Sequence, residues 1–372
     1  MIKNKELIIF SFDFPPSNGG IARLCQEIAA GMKPYYERVR VLTREKEGVN
    51  IPYNIEQVEI ITLPHRRFLC EIKAIIFLSK LKNKYNCDIL CGTWHPEAIL
   101  SLVSGFKNVF ILGHGAEFTS GSSLFRKTIW LPLYSKIILS QAKLIIANSR
   151  YTKKLVHKIA HSASCESLPL GVNHNFFKPD FTLHKDNKCL RICTVSRIEK
   201  FKGHDFVARV LSKINESHPN MVIWNVAGTG GYLNEIVKIT HGLGIDEIVK
   251  FHGYVKDVDL PKFYNENDLF LLCTRESVND VNVEGFGLVF LEAQASGIPA
   301  IGTKTGGIAD AIHVDNGGWL ISQDNELELY NLLINLLNSK AIVNEEGFKA
   351  RKRIEEMCTW EIYCRDLAKL MN

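Results

Sequence analysis

The chain has 372 residues, of which 46% are hydrophobic and 23% are charged. This length exceeds one ordinary α/β domain and suffices for two. The composition is that of a globular protein with substantial cores. Because no run of about 18 apolar residues occurs, we expect no transmembrane helix. The short apolar run 7–10 lacks a small-residue cleavage site and predicts a first strand rather than a signal peptide, so we expect a cytoplasmic protein.

The ten cysteines are scattered and form no Cys-x-x-Cys pair. Several, such as Cys87, Cys91, Cys189 and Cys193, lie inside apolar, strand-like runs. This pattern predicts reduced core residues rather than a disulfide or zinc framework. We therefore expect no metal site.

Charge is distributed unequally along the chain. Residues 1–180 hold 24 Lys and Arg against 14 Asp and Glu, whereas the remainder holds 21 against 26. A basic half indicates contact with a polyanion, either nucleic acid or an anionic membrane. Because no nucleic-acid motif accompanies the charge, we favour peripheral contact with a membrane through the N-terminal half and expect no nucleic-acid partner.

Strand-like and helix-like segments alternate along the chain, which predicts parallel sheets with helical crossovers. In the first half the expected strands are 7–12, 38–42, 58–62, 88–91, 109–112 and 144–147, with helices at 21–32 and 149–159 among them. A polar stretch at 173–188 predicts a linker. The alternation resumes with strands at 190–195, 222–227, 249–251 and 269–273, and a final helical segment begins near Trp360. The fold class is therefore α/β, with two doubly wound domains whose ligands bind at the carboxyl ends of the strands.

Two glycine loops follow expected strands. Gly19-Gly20 precedes a helix, and such a pair either lets backbone N–H groups approach a phosphate or forms a tight turn with positive φ. The second loop begins at Gly228 and resembles half of a dinucleotide fingerprint, but Leu233 stands where the third glycine belongs. An NAD oxidoreductase is therefore the less favoured alternative.

A basic pair, Arg197 and Lys202, lies in the loop after the strand at 190–195. The guanidinium supplies a fork of donors and the ammonium a point charge, which together suit a diphosphate leaving group. The other interpretation is a solvated basic loop.

Two glutamates eight positions apart, Glu284 and Glu292, flank the glycine-rich start of a helix. Glu292 lies about one turn inside an apolar stripe and needs hydrogen bonds, for instance from ribose hydroxyls. Glu284 precedes the helix and can reach sugar hydroxyls. Free N–H groups at Gly287 and Leu288, next to Phe286, can meet phosphate oxygens.

Here the chain resembles glycosyltransferase family 4, the retaining GT-B enzymes, through their Glu-x7-Glu signature. Further segments resemble motifs of that family in the same order. They are Gly19-Gly20, residues 170–173 (with Asn173 replacing the usual acid), the Arg197/Lys202 pair, residues 252–255 (whose Tyr254 and Val255 meet the base), residues 296–299, Gly306-Gly307 and Trp360-Glu361.

The resemblance implies two Rossmann-like domains facing across a cleft. Residues 1–180 would form the acceptor-binding domain and 181–355 the nucleotide-sugar-binding domain, with 356–372 returning to the first as a helix. It also implies hexosyl transfer without a metal or other cofactor, the donor being a nucleotide diphosphate sugar. His114 matches the active-site histidine of the family, although a lone histidine after a strand is also a common structural residue.

In the family's roles, Arg197 and Lys202 stabilise the departing diphosphate, Glu284 holds the sugar and Glu292 the ribose. The resemblance of residues 114–117 and 282–285 to enzymes that mannosylate phosphoinositides favours GDP-mannose over UDP-sugars. A glycan or glycolipid acceptor in cell-envelope glycan synthesis would follow. A sugar-nucleotide epimerase of the same architecture and a nucleotide-binding module without turnover remain alternatives.

The segment 124–147 contains Arg126, Lys127, Trp130, Lys136 and Lys143 among apolar residues. As a helix to about residue 140 it could lie on an anionic bilayer. It could equally be an ordinary helix of the first domain with snorkelling lysines.

Overall fold

The computed structural model describes residues 5–17, 19–46, 54–183, 189–277 and 281–372. Its internal contacts divide the chain into an N-terminal unit, Met1–Pro169 with Trp360–Asn372, and a C-terminal unit, Leu170–Thr359. The division falls before the expected linker because Leu170 and Val172 are buried, and the Val172 N–H donates to the Cys358 carbonyl in the same unit. Residues 184–188 of that linker lie outside the described residues.

The N-terminal unit is built on a parallel sheet of seven strands in the order β3-β2-β1-β4-β5-β6-β7. The strands are β1 (Glu6–Phe10), β2 (Arg38–Arg44), β3 (Val58–Leu63), β4 (Cys87–Cys91), β5 (Val109–Gly113), β6 (Leu144–Ala147) and β7 (Cys165–Ser167). The six strands expected from the sequence are all present. The three-residue β7 was missed because Glu166 and Ser167 interrupt its apolar pattern.

Helices connect these strands. They are α1 (Gly20–Gly31), α2 (Arg67–Lys80), α3 (Ile99–Val103), α4 (Lys136–Gln141) and α5 (Arg150–Ile159). The expected helix from residue 124 is a wide π-type segment, Arg126–Ser135, that runs into α4. Pro132 inside it has no N–H, and its ring cannot fit a regular α-helical turn.

The C-terminal unit has a parallel sheet of six strands in the order β10-β9-β8-β11-β12-β13. These are β8 (Leu190–Val195), β9 (Val222–Ala227), β10 (Val249–Gly253), β11 (Leu269–Leu272), β12 (Ala300–Thr303) and β13 (Gly318–Ile321). Its helices are α6 (His204–Ser217), α7 (Leu233–Gly242), α8 (Leu260–Asn265), α9 (Leu288–Ala295), α10 (Ile308–Ala311), α11 (Glu326–Asn338) and α12 (Lys340–Met357). A last helix, α13 (Trp360–Met371), packs on α1 in the N-terminal unit.

Both sheets change winding direction at one point, between β1 and β4 and between β8 and β11. Ligands of doubly wound sheets bind beside such a point, at the carboxyl ends of the strands. The loops that follow these four strands are therefore where a site is expected.

All ten cysteines are free and buried, as the sequence indicates. Burial raises the pKa of the Cys25 thiol to about 12, so this thiol is not a ready nucleophile. Among the described residues, no helix has the length and apolar content needed to cross a membrane.

Candidate functional site

The loops that follow β8, β9 and β11 converge through backbone contacts. Gly203 has a φ of 75°, and a Cβ on it would lie 1.9 Å from the Cys273 carbonyl oxygen. Gly228 has a φ of 140°, and a Cβ there would lie 1.8 Å from the Ser196 carbonyl oxygen. Both positions need glycine for conformation and for space. The two glycines thus bring the basic loop after β8 against its neighbours.

Lys202 and Glu284, predicted separately from distant motifs, form an ion pair in the structure. The Lys202 Nζ lies 2.6 Å from the Glu284 Oε2. Their side chains are 11% and 16% exposed, so each charge is largely desolvated and is compensated by the other. Both still reach the surface, where an anionic ligand can contact the ammonium.

Glu284 is held by the turn at Gly306-Gly307. The Gly307 N–H donates to the Glu284 carbonyl at 2.8 Å. Gly306 has a φ of 52°, and a Cβ on it would lie 2.2 Å from the same carbonyl oxygen. This glycine pair therefore fixes the backbone that carries the first glutamate.

The start of α9 lies between the two glutamates. Gly287 caps it with a φ of 89°, and a Cβ there would lie 2.5 Å from the Phe290 ring. The Phe290 N–H donates to the Gly287 carbonyl at 3.0 Å, whereas the N–H groups of Leu288 and Val289 precede the first intrahelical hydrogen bonds and can bind an anion. Phe286 is only 2% exposed and packs in the core, which limits it to a supporting contact.

Glu292 is 3% exposed, and its Oε2 accepts a hydrogen bond of 2.9 Å from the Tyr264 hydroxyl. The requirement for a hydrogen bond was evident from the apolar stripe around Glu292. The donor was not, because Tyr264 lies 28 residues earlier, in α8. Contact between Glu292 and a ribose stays a prediction.

The remaining predicted nucleotide-binding residues differ in exposure. Arg197 is exposed on the loop after β8, and Tyr254 is 64% exposed beside the half-buried Val255. The Gly228 N–H donates to the Gly253 carbonyl at 2.7 Å. That N–H is therefore bonded within the protein, and contact between Gly228 and the nucleotide stays a prediction.

In the N-terminal unit, His114 follows β5. Its Nε2 lies 2.7 Å from the Gly92 carbonyl oxygen, which can only accept, so Nε2 carries a hydrogen and the neutral ring presents Nδ1 as an acceptor. Its backbone N–H donates to the Glu117 Oε1 at 2.6 Å. These contacts fix the orientation of the ring.

Gly19 and Gly20 lie at the start of α1. Gly19 has a φ of 153°, which residues with a Cβ rarely adopt. Within the part of the chain that the structure describes, a Cβ on either glycine would meet no atom within 4 Å. The space beside this helix start is therefore open to a ligand.

Sequence analysis missed Glu97, which lies after β4 and is 2% exposed. Its carboxylate accepts the Phe12 N–H at 3.0 Å and the Thr93 hydroxyl, which joins the ends of β1 and β4. Burial raises the pKa of Glu97, and these hydrogen bonds oppose the rise. An acid soon after a buried strand was the only available signal.

His204 lies next to the basic loop, and the pH dependence of stability tests how deeply its side chain is buried. It is 1% exposed, its Nε2 lies 3.3 Å from the Ser196 Oγ, and its Nδ1 has no partner within the described part of the chain. Burial, with a smaller contribution from the Lys202 charge, lowers its pKa to about 4.

Between about pH 6.5 and pH 4 the unfolded chain binds a proton at this histidine and the folded protein does not, so stability falls as the pH is lowered through that window. We expect His204→Gln to lose less stability across this range, by up to about 3 kcal/mol. Denaturant unfolding at both ends of the window measures the difference. Equal losses in the two proteins would show that His204 titrates normally.

Comparison with known proteins supports the fold described above. Residues 177–356 match the family model described as glycosyl transferases group 1. Over 98% of both chains, the structure superimposes on sucrose-phosphate synthase from Thermosynechococcus elongatus with a TM-score of 0.77 and 19% identity. Over 99% of both chains, it superimposes on Anabaena HepE in complex with UDP with a TM-score of 0.78 and 17% identity. These similarities confirm the expected GT-B fold of two Rossmann-like domains.

Curated relatives also span the chain. It is 23% identical over 392 residues to the GDP-mannose-dependent monoacylated alpha-(1-6)-phosphatidylinositol monomannoside mannosyltransferase of Corynebacterium glutamicum, covering 100% of this chain and 99% of that protein. It is 27% identical over 232 residues to the GDP-mannose-dependent alpha-(1-6)-phosphatidylinositol monomannoside mannosyltransferase of Mycobacterium tuberculosis, covering 60% of each.

Fold, site and relatives together define this protein as a glycosyltransferase. The segment that matches glycosyl transferases group 1, residues 177–356, contains Arg197, Lys202, Glu284 and Glu292. The resemblance found in the motifs is thereby confirmed.

Proposed function

We propose that this protein is a retaining hexosyltransferase that moves mannose from GDP-mannose to a hydroxyl of a lipid-linked or oligosaccharide acceptor, in the synthesis of a cell-envelope glycan. The observation that carries the proposal is the Lys202–Glu284 pair beside the point where the C-terminal sheet reverses its winding. A cation for the diphosphate and a carboxylate for the sugar stand in contact there. The mannosyltransferase relatives favour mannose, and the UDP complexes of Anabaena HepE make UDP-sugars the donors to test against.

In the proposed reaction the bond between the sugar C1 and the β-phosphate oxygen breaks, and the acceptor oxygen bonds to C1 on the same face. The acceptor proton passes to the leaving phosphate oxygen. Arg197 and Lys202 stabilise the negative charge that develops on the diphosphate. Glu284 holds the sugar hydroxyls, Glu292 the ribose, and His114 faces the sugar. No metal or other cofactor takes part in this scheme.

The proposal is tested by incubating the purified protein with GDP-mannose, UDP-glucose or UDP-N-acetylglucosamine, with and without lipid-linked and oligosaccharide acceptors. The expected product retains the anomeric configuration of the donor and forms from GDP-mannose. A sugar epimerised without acceptor would identify an epimerase. Nucleotide binding without any product across the panel would favour a binding module, and transfer from UDP-sugars alone would replace the mannose assignment.

We also assign a membrane-facing surface to the N-terminal unit, formed by one side of α2 and one side of the helical segment 124–141. On α2 the exposed apolar residues recur with helical spacing, and on the second segment they recur every four residues from Phe125 onward. They are Phe68, Leu69, Ile72 and Ile76 on α2, and Leu124, Phe125, Ile129, Leu133 and Ile137 on the second segment. Contiguous apolar surface of this kind marks an interaction site.

The two helical segments pack near the same part of the N-terminal unit, because α2 contacts α3 and the second segment contacts His95, which lies just before α3. His95 packs edge-on against Trp130, 4.9 Å between ring centroids, and its Nδ1 lies 3.0 Å from the Tyr134 hydroxyl. Burial lowers the pKa of His95, and the charge of Arg67 on α2 lowers it further.

The basic residues around this surface favour an anionic bilayer as its partner. Residues 66–82 hold five Lys and Arg against one acid, and residues 124–143 hold four against none. Each basic side chain near an anionic leaflet contributes about 1 kcal/mol, and each apolar side chain that enters the interface adds to this. The protein would then lie peripherally on the inner face of the cell membrane, beside a lipid-linked acceptor.

Sedimentation with vesicles tests this surface. We expect binding to phosphatidylcholine vesicles that contain phosphatidylglycerol, weakened by salt, and little binding to phosphatidylcholine alone. Because lipid burial of each large apolar side chain is worth about 1.5–3 kcal/mol, the variant Phe68→Ser should bind roughly tenfold more weakly. The control is Phe348→Ser, a similarly exposed phenylalanine of the C-terminal unit (72% against 77%). Equal loss in both variants, or no vesicle binding, would contradict the assignment.

A further inference from the structure

Arg275 follows β11 and belongs to none of the motifs that predicted the site. Its guanidinium makes two hydrogen bonds to the Asp205 carboxylate, at 2.6 and 2.9 Å, and one to Asp324 at 2.7 Å. It also donates to the Lys200 carbonyl at 3.4 Å. The side chain is only 19% exposed.

The segment that contains Arg275 also contacts the residues on both sides of Lys202 in the sequence. The Arg275 backbone N–H donates to the Phe201 carbonyl at 2.6 Å, immediately before Lys202. Gly203, immediately after it, packs on the Cys273 carbonyl, and Asp205 is held by the guanidinium. The segment that contains Arg275 thus contacts this loop both before and after the lysine in the sequence.

The Arg275 contacts fix the position of the loop that bears Lys202, and a gain in net stability does not explain their presence. Buried ion pairs often contribute little net stability, because desolvation cancels much of the attraction. A bidentate fork does fix geometry. Asp324 accepts the third bond with a φ of 54°, a conformation that an acid adopts at some cost. What these contacts achieve is the placement of one loop relative to β11.

We propose that Arg275 is a positioning residue for Lys202, holding the loop 200–205 so that the ammonium meets the β-phosphate of the bound nucleotide. This inference rests on the function proposed above. Arg275 itself touches neither sugar nor phosphate. It affects the position of the ammonium indirectly, through contacts of its segment with the backbone of residues 200, 201 and 203 and with Asp205.

The test compares affinities for GDP and GMP, and for UDP and UMP, by calorimetry. A monophosphate lacks the β-phosphate, so the ratio of diphosphate to monophosphate affinity measures the contact made by Lys202. The wild-type protein should favour the diphosphate, and Lys202→Ala should remove most of that preference. Because a displacement of about 1 Å can cost up to a hundredfold at a preorganised site, Arg275→Gln should lower the ratio about tenfold.

Two further single variants and one double variant distinguish positioning of Lys202 from a general loosening of the unit. Arg209→Gln is the matched control, because Arg209 also pairs with Asp205, at 3.1 Å, but from the solvent side and without the loop contacts. It should leave the ratio unchanged. Arg275→Lys keeps the charge without the fork and should give an intermediate ratio. In the Lys202→Ala background, Arg275→Gln should have no further effect.

An equal loss of diphosphate and monophosphate affinity in Arg275→Gln would overturn the inference, since that is what a general loosening of the unit produces. Additive effects in the double variant would overturn it as well. If Lys202→Ala left the ratio unchanged, the diphosphate role of Lys202 in the proposed function would fail first, and the positioning role with it. The two failures are therefore distinguishable.

Discussion

Lys202→Ala is expected to lower kcat by about 10²–10³-fold, the usual loss when one preorganised donor to developing charge is removed. The ammonium stands in a largely desolvated position, where its interaction with a leaving diphosphate is stronger than in water. KM for the donor should change less than kcat, because the charge on the bridging oxygen grows only as the sugar departs. Steady-state kinetics with the donor that gives product in the assay proposed above measures both constants.

The control for this variant is Lys200→Ala, two residues earlier in the same loop and exposed to solvent. It removes the same charge without touching Glu284 and should leave kcat within a few-fold of the wild-type value. Because Lys202→Ala also leaves Glu284 without its ammonium, unfolding of both variants must be compared. An unchanged kcat in a folded Lys202→Ala protein would remove the lysine from the mechanism.

The strands and the glycine loops could be predicted because their causes are local. The four residues Leu7–Phe10 are fully buried, and a continuous apolar run of this kind is typical of a strand covered on both faces. The need for glycine at Gly203, by contrast, comes from the Cys273 carbonyl, seventy residues away in sequence. The four-residue strands β12 and β13 were missed because each contains a glycine, whereas β6 and β11, of the same length, are continuous apolar runs.

The site could be predicted as a set of residue types but not as a set of contacts. Arg197, Lys202, Glu284 and Glu292 carry recognisable spacing and lie within the segment that matches the family model. Tyr264, Arg275 and Glu97 carry none, since a tyrosine in a helix or an arginine after a strand is common. Each acts through a partner 28 to 85 residues away, and only the fold brings those partners together.

Glu284→Gln is expected to have two effects of opposite sign. Turnover should fall roughly a hundredfold, because a preorganised contact to the sugar is weakened. Affinity for the free nucleoside diphosphate should rise, because Glu284 pairs with the Lys202 ammonium at 2.6 Å and competes with the diphosphate for it. A diphosphate must displace that carboxylate and then tolerate its negative charge nearby.

The gain in affinity follows from the strength of the pair. A partly exposed ion pair is worth about 1 kcal/mol, so removing the competing carboxylate should tighten diphosphate binding roughly fivefold. Titration calorimetry with GDP and UDP measures it. The control is Glu199→Gln, which removes an equal charge from the loop that bears Lys202 but lacks the ion pair, and should bind the diphosphate as the wild type does.

The two effects separate two roles of this glutamate. If Glu284 served only the sugar, Glu284→Gln would lose turnover and keep its diphosphate affinity. If it served only to neutralise Lys202, diphosphate affinity would rise with little loss of turnover. Loss of turnover together with tighter diphosphate binding means that one carboxylate first holds the lysine and then exchanges it for the sugar hydroxyls. In that case donor binding itself prepares the ammonium for the leaving group.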